Sequence, residues 1–479
     1  MSEHYDTYFI NPKLALKAAR RQNKVKLYNG LGTQLCYYSG KKIKNVPKNM
    51  IQMPIENIKE FFNHNSYRLP EYIDFNKSTY TDDELQVNYK NILLSLFKEI
   101  RNEEMKKNEH LLEKIKSQDS PLFNKECINF VIIVSRTLGY DYEYAKQLKK
   151  SLKNLGHSIT ILTEPGSKKL LINHLKTNFI LEKLHTIKPN VIIFINDYKP
   201  KIVPDDTFQI SIINGFIPLL KSIKKDDIRQ KDILISQNQY INKLLTSKKI
   251  LVNKINPIIQ FEKHESKSKT KKYKLSIFAS YFNLNDYILF QEMVRIFSKK
   301  INTETISLQK ILEYMNEMDY ENKRDYEMIL YIQKNIILQN CIQWLDSNSK
   351  NVTIFGGNWD KFKKLPPHAK VKNTNKAIKK YQKSEYIIQI SSNIIDVNLL
   401  EVLNAGATPV VYDLRQEDES YDTKFDDYCL FFKNKEELNN ILKKSIQPKR
   451  QYTKEIFQNY TFNNLSKEIL SFITINNEY

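Results

Sequence analysis

The chain has 479 residues, 41% of them hydrophobic and 11% aromatic, enough for two to four packed domains and too apolar for disorder as its main state. Lys and Arg outnumber Asp and Glu by 75 to 54, a net charge of +21 that suggests an anionic partner. An abundance of Lys, Asn, Ile and Tyr makes drift in composition an equal explanation, and no dense basic stripe with interleaved aromatics appears, so nucleic acid is not an expected partner.

No apolar run reaches the ~18 residues of a membrane span. The opening residues, MSEHYDTYFINPK, lack the charged-then-apolar pattern of a secretory signal. Cys36, Cys127, Cys341 and Cys429 are dispersed, without a CxxC pair. That spacing argues against a zinc ribbon or a disulfide scaffold and for a cytoplasmic, reducing location.

Residues 1–126 read as an α-rich N-terminal extension. A basic amphipathic stretch covers 14–25, Gly30, Gly32 and Gly40 mark turns, and Pro47, Pro54 and Pro70 punctuate the stretch beyond them. A long helix is predicted from Glu84 to Lys116, with Leu93, Leu96, Ile100, Leu111 and Ile115 at helical spacing. The remaining connections are expected to be irregular.

A Rossmann-like domain is predicted over 127–262. Its strands are the apolar runs 128–134, 157–162, 190–195, 208–213 and 232–236, with 250–252 and 258–259 finishing the region. Helices are expected at 143–155, 175–187 and up to Leu245. This alternation of strand and helix argues for a doubly wound α/β layout. Residues 263–274 are polar and basic and read as a linker.

A second Rossmann-like domain is predicted over 275–448. Strands are expected at 275–279, 351–355, 385–390, 408–412 and 429–432, and helices within 284–346 and at 375–382, 398–404 and 435–445. A last helix, 453–473 within the segment 449–479, is expected to cross back to the first domain. Two such domains in tandem would set a ligand cleft between them.

Glycine narrows the search, because ten in 479 is about 2% against a usual ~7%. Gly139 lies in the loop Ser135–Asp141, at the carboxyl end of the first strand, where α/β ligand sites form. Gly139 and Tyr140 are acceptor-side candidates there. Asp141 is a candidate general base or a helix cap, and Asp197, after the strand ending at Ile195, is a second candidate base. His157 follows Gly156 and reads as a structural turn. The pair Gly356 and Gly357, with Asn358 and Trp359, forms a second loop where backbone can approach a ligand; Trp359 would stack on a base or pack on the domain. The bare Asp pairs 205–206, 226–227 and 426–427 lack ligand spacing, so no metal is expected.

Residues 351–446 resemble the donor-binding domain of GT-B glycosyltransferases of the group-1 type, in texture nearest the spore-maturation (CgeB-like) branch. The resemblance rests on VTIFGGNW (352–359), SEYIIQI (384–390) and above all NLLEVLNAGATPVV (398–411). It implies a metal-independent glycosyltransferase in a GT-B arrangement, with a nucleotide sugar as substrate and no separate cofactor. It assigns Glu401 to both ribose hydroxyls. It places the diphosphate at the helix start after the loop that contains Ser391, Ser392, Asn393 and Asp396. Many family members carry a glutamate where this chain has Asn393, and a basic residue after the domain's first strand where it has Ser280–Asn285. Lys361 is a candidate substitute for that charge.

The expected acceptor is a surface glycan, a lipid-linked glycan or a protein, reached in the cytoplasm or peripherally at the inner, anionic face of the membrane. A non-catalytic nucleotide- or glycan-binding protein on the same fold is the alternative, and a nucleic-acid-binding protein a weaker one.

Overall fold

The computed structural model describes residues 6–9, 11–24, 35–39, 43–47, 49–54, 56–64, 67, 69–70, 72–74, 83–117, 123–135, 139–164, 177–213, 223–236, 239–255, 271–279, 295–296, 323–345, 352–356, 359, 362, 365, 369–372, 380–391, 397–413, 426–450 and 460–477. By compactness the chain divides into two units. The first is 1–211 with 229–232, and the second is 212–228 with 233–479.

The first unit opens with a four-stranded sheet in the order β3-β2-β1-β4, all pairs parallel. Its strands are β1 (Thr7–Phe9), β2 (Cys36–Tyr38), β3 (Met50–Gln52) and β4 (Tyr72–Asp74). Helices α1 (Pro12–Lys24) and α2 (Ile58–His64) lie between strands in the chain, and α3 (Asp83–Lys116) comes after β4. In this region a four-stranded sheet stands where irregular connections were expected. Three-residue strands are too short to show the alternation by which strands are read.

Asp6 is wholly buried and accepts a 2.7 Å hydrogen bond from the Leu35 backbone N–H, stitching β1 to the approach of β2. The α3 helix serves two cores. Leu93, Phe97 and Ile100 pack with Tyr8, Tyr37 and Phe62 over the small sheet. Ile115, with Leu111 and Leu112, packs with Val131, Ile180 and Leu184 of the next layer.

The second sheet has the order β10-β9-β8-β7-β5-β6. Its strands are β5 (Asn129–Ile133), β6 (Ser158–Leu162), β7 (Val191–Ile195), β8 (Phe208–Ile212), β9 (Asp232–Ser236) and β10 (Asn253–Lys254). Strand β5 pairs in parallel with β6 and β7, and β9 with β10. Every residue of β7 and β8 is buried, which is why they read as unbroken apolar runs. Helices α4 (Gly139–Asn154), α5 (Thr177–Ile187) and α6 (Gln239–Ser247) connect strands.

One expectation shifts here. The apolar run 250–252 is not a strand: Leu251 is 84% exposed, and pairing begins at Asn253. Ile258 and Ile259 lie outside the described residues.

The third sheet, in the second unit, has the order β13-β12-β11-β14-β15-β16, every pair parallel. It comprises β11 (Tyr273–Phe278), β12 (Val352–Phe355), β13 (Lys370–Lys372), β14 (Ser384–Ser391), β15 (Thr408–Asp413) and β16 (Leu430–Phe432). Strand β13 was not expected, since Lys-Val-Lys carries almost no apolar signal. Helices α7 (Lys323–Trp344), α8 (Val397–Asn404), α9 (Lys435–Lys444) and α10 (Phe462–Asn477) belong to the same unit. The fold is therefore mixed α/β, with two six-stranded sheets of Rossmann-like build.

His157 is structural, as the sequence suggests. Gly156 (φ 96°) ends α4 in a left-handed turn, with His157 N–H donating to the Leu152 carbonyl at 3.2 Å. The His157 Nδ1 accepts from the Ile128 N–H at 3.3 Å, which requires the neutral ring, and burial pushes its pKa below the usual 6.5. The unfolded chain thus takes up a proton first. Stability contributed here is full above about pH 6.5 and drains as pH falls toward the lowered folded value. Urea unfolding should show the wild type losing more stability than His157→Gln between about pH 6.5 and 5.5. Parallel losses would contradict this role.

Candidate functional site

In an open parallel sheet, ligands sit outside the carboxyl ends of the strands where the strand order reverses. The third sheet reverses between β11 and β14, and the second between β5 and β7. Both places hold polar side chains that the fold has fixed.

At the third sheet, β14 runs out to Ser391 and the chain re-enters the described structure as α8. Glu401, one turn into α8, is only 6% exposed. A solvated helix residue is thereby excluded, and a carboxylate this buried must be served by polar partners or a ligand. The helix is held by its apolar side, where Leu399, Leu400 and Leu403 pack on Val411 and Tyr460, and Val402 on Ile387. It ends at Gly406 (φ 71°), whose N–H donates to Leu403 at 2.8 Å while Ala407 N–H donates to Val402 at 3.1 Å. That left-handed step suits glycine and turns the chain straight into β15.

Across the reversal, β11 ends at Phe278, and Ala279 follows it. Ala279 N–H donates to the Phe355 carbonyl at 3.0 Å, and Phe278 and Phe355 stack at 4.8 Å. Gly356 continues the rim, its N–H bonded to the Lys372 carbonyl at 3.0 Å. Trp359 resolves to packing. It is 1% exposed, meets Phe362 edge-on at 5.6 Å, and donates its Nε1–H to the Ala279 carbonyl at 2.7 Å. No face of its ring is open to a base; its place in the site is to hold the end of β11. Ser391 closes β14. Ser392, Asn393, Asp396, Gly357, Asn358 and Lys361 lie outside the described residues.

At the second sheet, Gly139 and Tyr140 fall in the first turn of α4 rather than in a loop. The helix starts four residues before the expected 143. Asp141, in that same turn, is 4% exposed, and its Oδ1 accepts from Asn196 Nδ2 at 2.9 Å. Asn196 directly follows β7 with φ 52°, a backbone that asparagine tolerates better than most residues. Asp197 is the next residue in the chain, but its side chain is engaged locally. It caps the Tyr198 N–H at 2.9 Å and pairs with Lys199 at 3.0 Å near the surface.

Sequence reasoning missed Glu164. It follows β6, is 4% exposed, and accepts a hydrogen bond from Ser135 at the end of β5. The signal was its place just past a strand's carboxyl end; its partner is 29 residues away. Among the described residues no group of three or more His, Cys, Asp or Glu could hold a metal ion. Among them, too, no helix is long and apolar enough to cross a membrane.

No protein-family model matches the chain, and no curated protein matches it significantly. Solved structures do match. A glycosyltransferase from Rickettsia africae is 13% identical, with 74% of this chain and 99% of that one covered at a TM-score of 0.41. An α-glucosyltransferase bound to UDP and a 13-mer DNA is 10% identical, covering 72% and 100% at 0.41. A Listeria monocytogenes protein assigned as a UDP-N-acetylglucosamine 2-epimerase is 14% identical, covering 73% and 97% at 0.39. At such identities and scores the likeness decides neither substrate nor chemistry.

Proposed function

We propose that the chain transfers a sugar from a nucleotide-sugar donor to an acceptor hydroxyl, as a GT-B-type transferase that needs no metal. The observation that carries this reading is Glu401, a carboxylate withdrawn from solvent on the helix that leaves β14 at the order reversal. In this reading Glu401 accepts hydrogen bonds from the ribose hydroxyls. The free N–H groups at the start of α8 meet the diphosphate and favour its charge as it departs.

Asp141, oriented by Asn196, serves as base toward the acceptor hydroxyl. Asp197, already paired with Lys199, is the weaker candidate for that role. A glycan, lipid-linked glycan or protein acceptor, met in the cytoplasm or at the inner membrane face, belongs to the same proposal.

Thermal unfolding with UDP-, GDP-, CMP-, ADP- and TDP-sugars tests it. One nucleotide class should raise the midpoint, by the equivalent of about 2.7 kcal/mol at a hundred times its Kd. Glu401→Gln, which keeps the side-chain volume, should bind that class about 10-fold or more weakly, since charge-assisted hydrogen bonds to both hydroxyls are weakened. Silence across all five classes, in a wild type that unfolds cooperatively, would sink the reading.

A further inference from the structure

We propose that the small N-terminal sheet carries a docking surface for double-stranded nucleic acid, held through its phosphates. The motive is an exposed helical stripe of positive charge in a stretch of chain with no acidic residue. Residues 7–50 contain ten Lys and Arg and no Asp or Glu. At the whole-chain ratio of 75 to 54, about seven acidic residues would accompany those ten. This tenth of the chain therefore carries +10 of the total +21. Drift in composition does not act so locally: α3, in the same unit, has seven basic and seven acidic residues.

The fold turns this excess into a surface. Helix α1 buries Ala15 and Ala19 against Cys36, Tyr38 and Met50, with Leu14, Leu16 and Ala18 packed beside them. Lys13, Lys17 and Arg20 are left exposed at i, i+4 and i+7, a single stripe about 10 Å long. Lys44 is exposed too, in the segment whose Ile43 and Val46 pack against the same cluster. None of these four has a carboxylate partner among the described residues.

The chemistry selects the partner. A helix that docks on a bilayer needs a free apolar face, and α1 has given its own to the sheet. A single strand or a glycan chain is usually gripped by aromatic platforms, and α1 has no aromatic residue. A duplex needs only cations against a phosphate charge every ~1.7 Å of axis, and it is then read without regard to sequence.

The test is fluorescence anisotropy of the full-length chain with a labelled duplex of about 20 base pairs, between about 50 and 200 mM salt. Lys13→Glu/Lys17→Glu/Arg20→Glu should lower affinity more than 10-fold and flatten the log–log salt slope by about 3. Lys98→Glu/Arg101→Glu/Lys106→Glu, at exposed positions of α3, makes the same change in net charge and should cost less than about 3-fold. The milder Lys13→Gln/Lys17→Gln/Arg20→Gln should give a graded loss with an unchanged circular dichroism spectrum.

The proposal fails if the wild type does not bind the duplex, or if both charge-reversed triples lose affinity alike. It fails equally if vesicles of about 30% phosphatidylserine take up the chain through the stripe while the duplex does not.

Discussion

Replacing Arg229 by Ala is expected to destabilise the first unit by about 3–5 kcal/mol, the range for breaking a buried, hydrogen-bonded ion pair. Its guanidinium reaches Asp232 Oδ1 through Nε at 3.0 Å and through Nη2 at 2.7 Å. The same group donates to the carbonyls of Val203 (3.0 Å), Pro204 (2.6 Å) and Thr207 (3.2 Å). The Asp232 side chain is wholly buried, and its Oδ2 also takes the Arg229 N–H at 3.0 Å and the Tyr198 hydroxyl at 2.9 Å.

One side chain thus ties the approach to β8 to the first residue of β9. Alanine would leave a buried carboxylate short of its cation and take one donor from each of three carbonyls, of which Pro204 keeps the Thr207 N–H at 3.1 Å, which is why the expected loss exceeds that of a surface pair. Lysine cannot restore it, because a point charge cannot reproduce five hydrogen bonds to four acceptor atoms in a fixed fork. Urea unfolding of Arg229→Ala, Asp232→Asn and the double variant should show coupling of up to ~3 kcal/mol. A single-variant loss under about 1 kcal/mol would mean that water substitutes for the fork.

Trp359→Ala should cost a similar amount in the second unit, about 3–5 kcal/mol, the range for emptying an aromatic site in a core. Trp359→Phe separates packing from the hydrogen bond. Most of the apolar contact stays, but the Ala279 carbonyl loses its 2.7 Å donor at the rim of the order reversal. About 1–3 kcal/mol is expected from that loss alone. If the rim serves the donor site, the phenylalanine variant also binds the nucleotide more weakly under conditions where it is fully folded. Unchanged binding would confine Trp359 to stability.

Burial on both faces made the two larger sheets legible. Val191–Ile195 and Val352–Phe355 are buried throughout, so the sequence alone shows them as unbroken apolar runs. The small sheet was hidden because each strand is three residues long, too short to show an alternation, although Thr-Tyr-Phe and Cys-Tyr-Tyr are made largely of strand-favouring residues. The run 250–252 misled for the opposite reason: apolar composition without pairing. Glu401 was readable from its neighbours in the chain. The bonds of Ser135 to Glu164 and of Asn196 to Asp141 were not, since they join residues 29 and 55 positions apart. Strand order brings those pairs together, and strand order leaves no mark on local composition.

The shared helix α3 sets a condition on how this chain can change in evolution. Its first half is fixed in phase by Leu93, Phe97 and Ile100, its second by Leu111, Leu112 and Ile115. One residue inserted between Ile100 and Leu111 would turn one set about 100° relative to the other and slide it about 1.5 Å. Steps of seven or eleven residues bring the two faces back to within about 20° of their phase. The spacing between the cores is therefore quantised by helical geometry, and relatives should differ there by nothing or by close to a whole number of turns, as seven or eleven residues are.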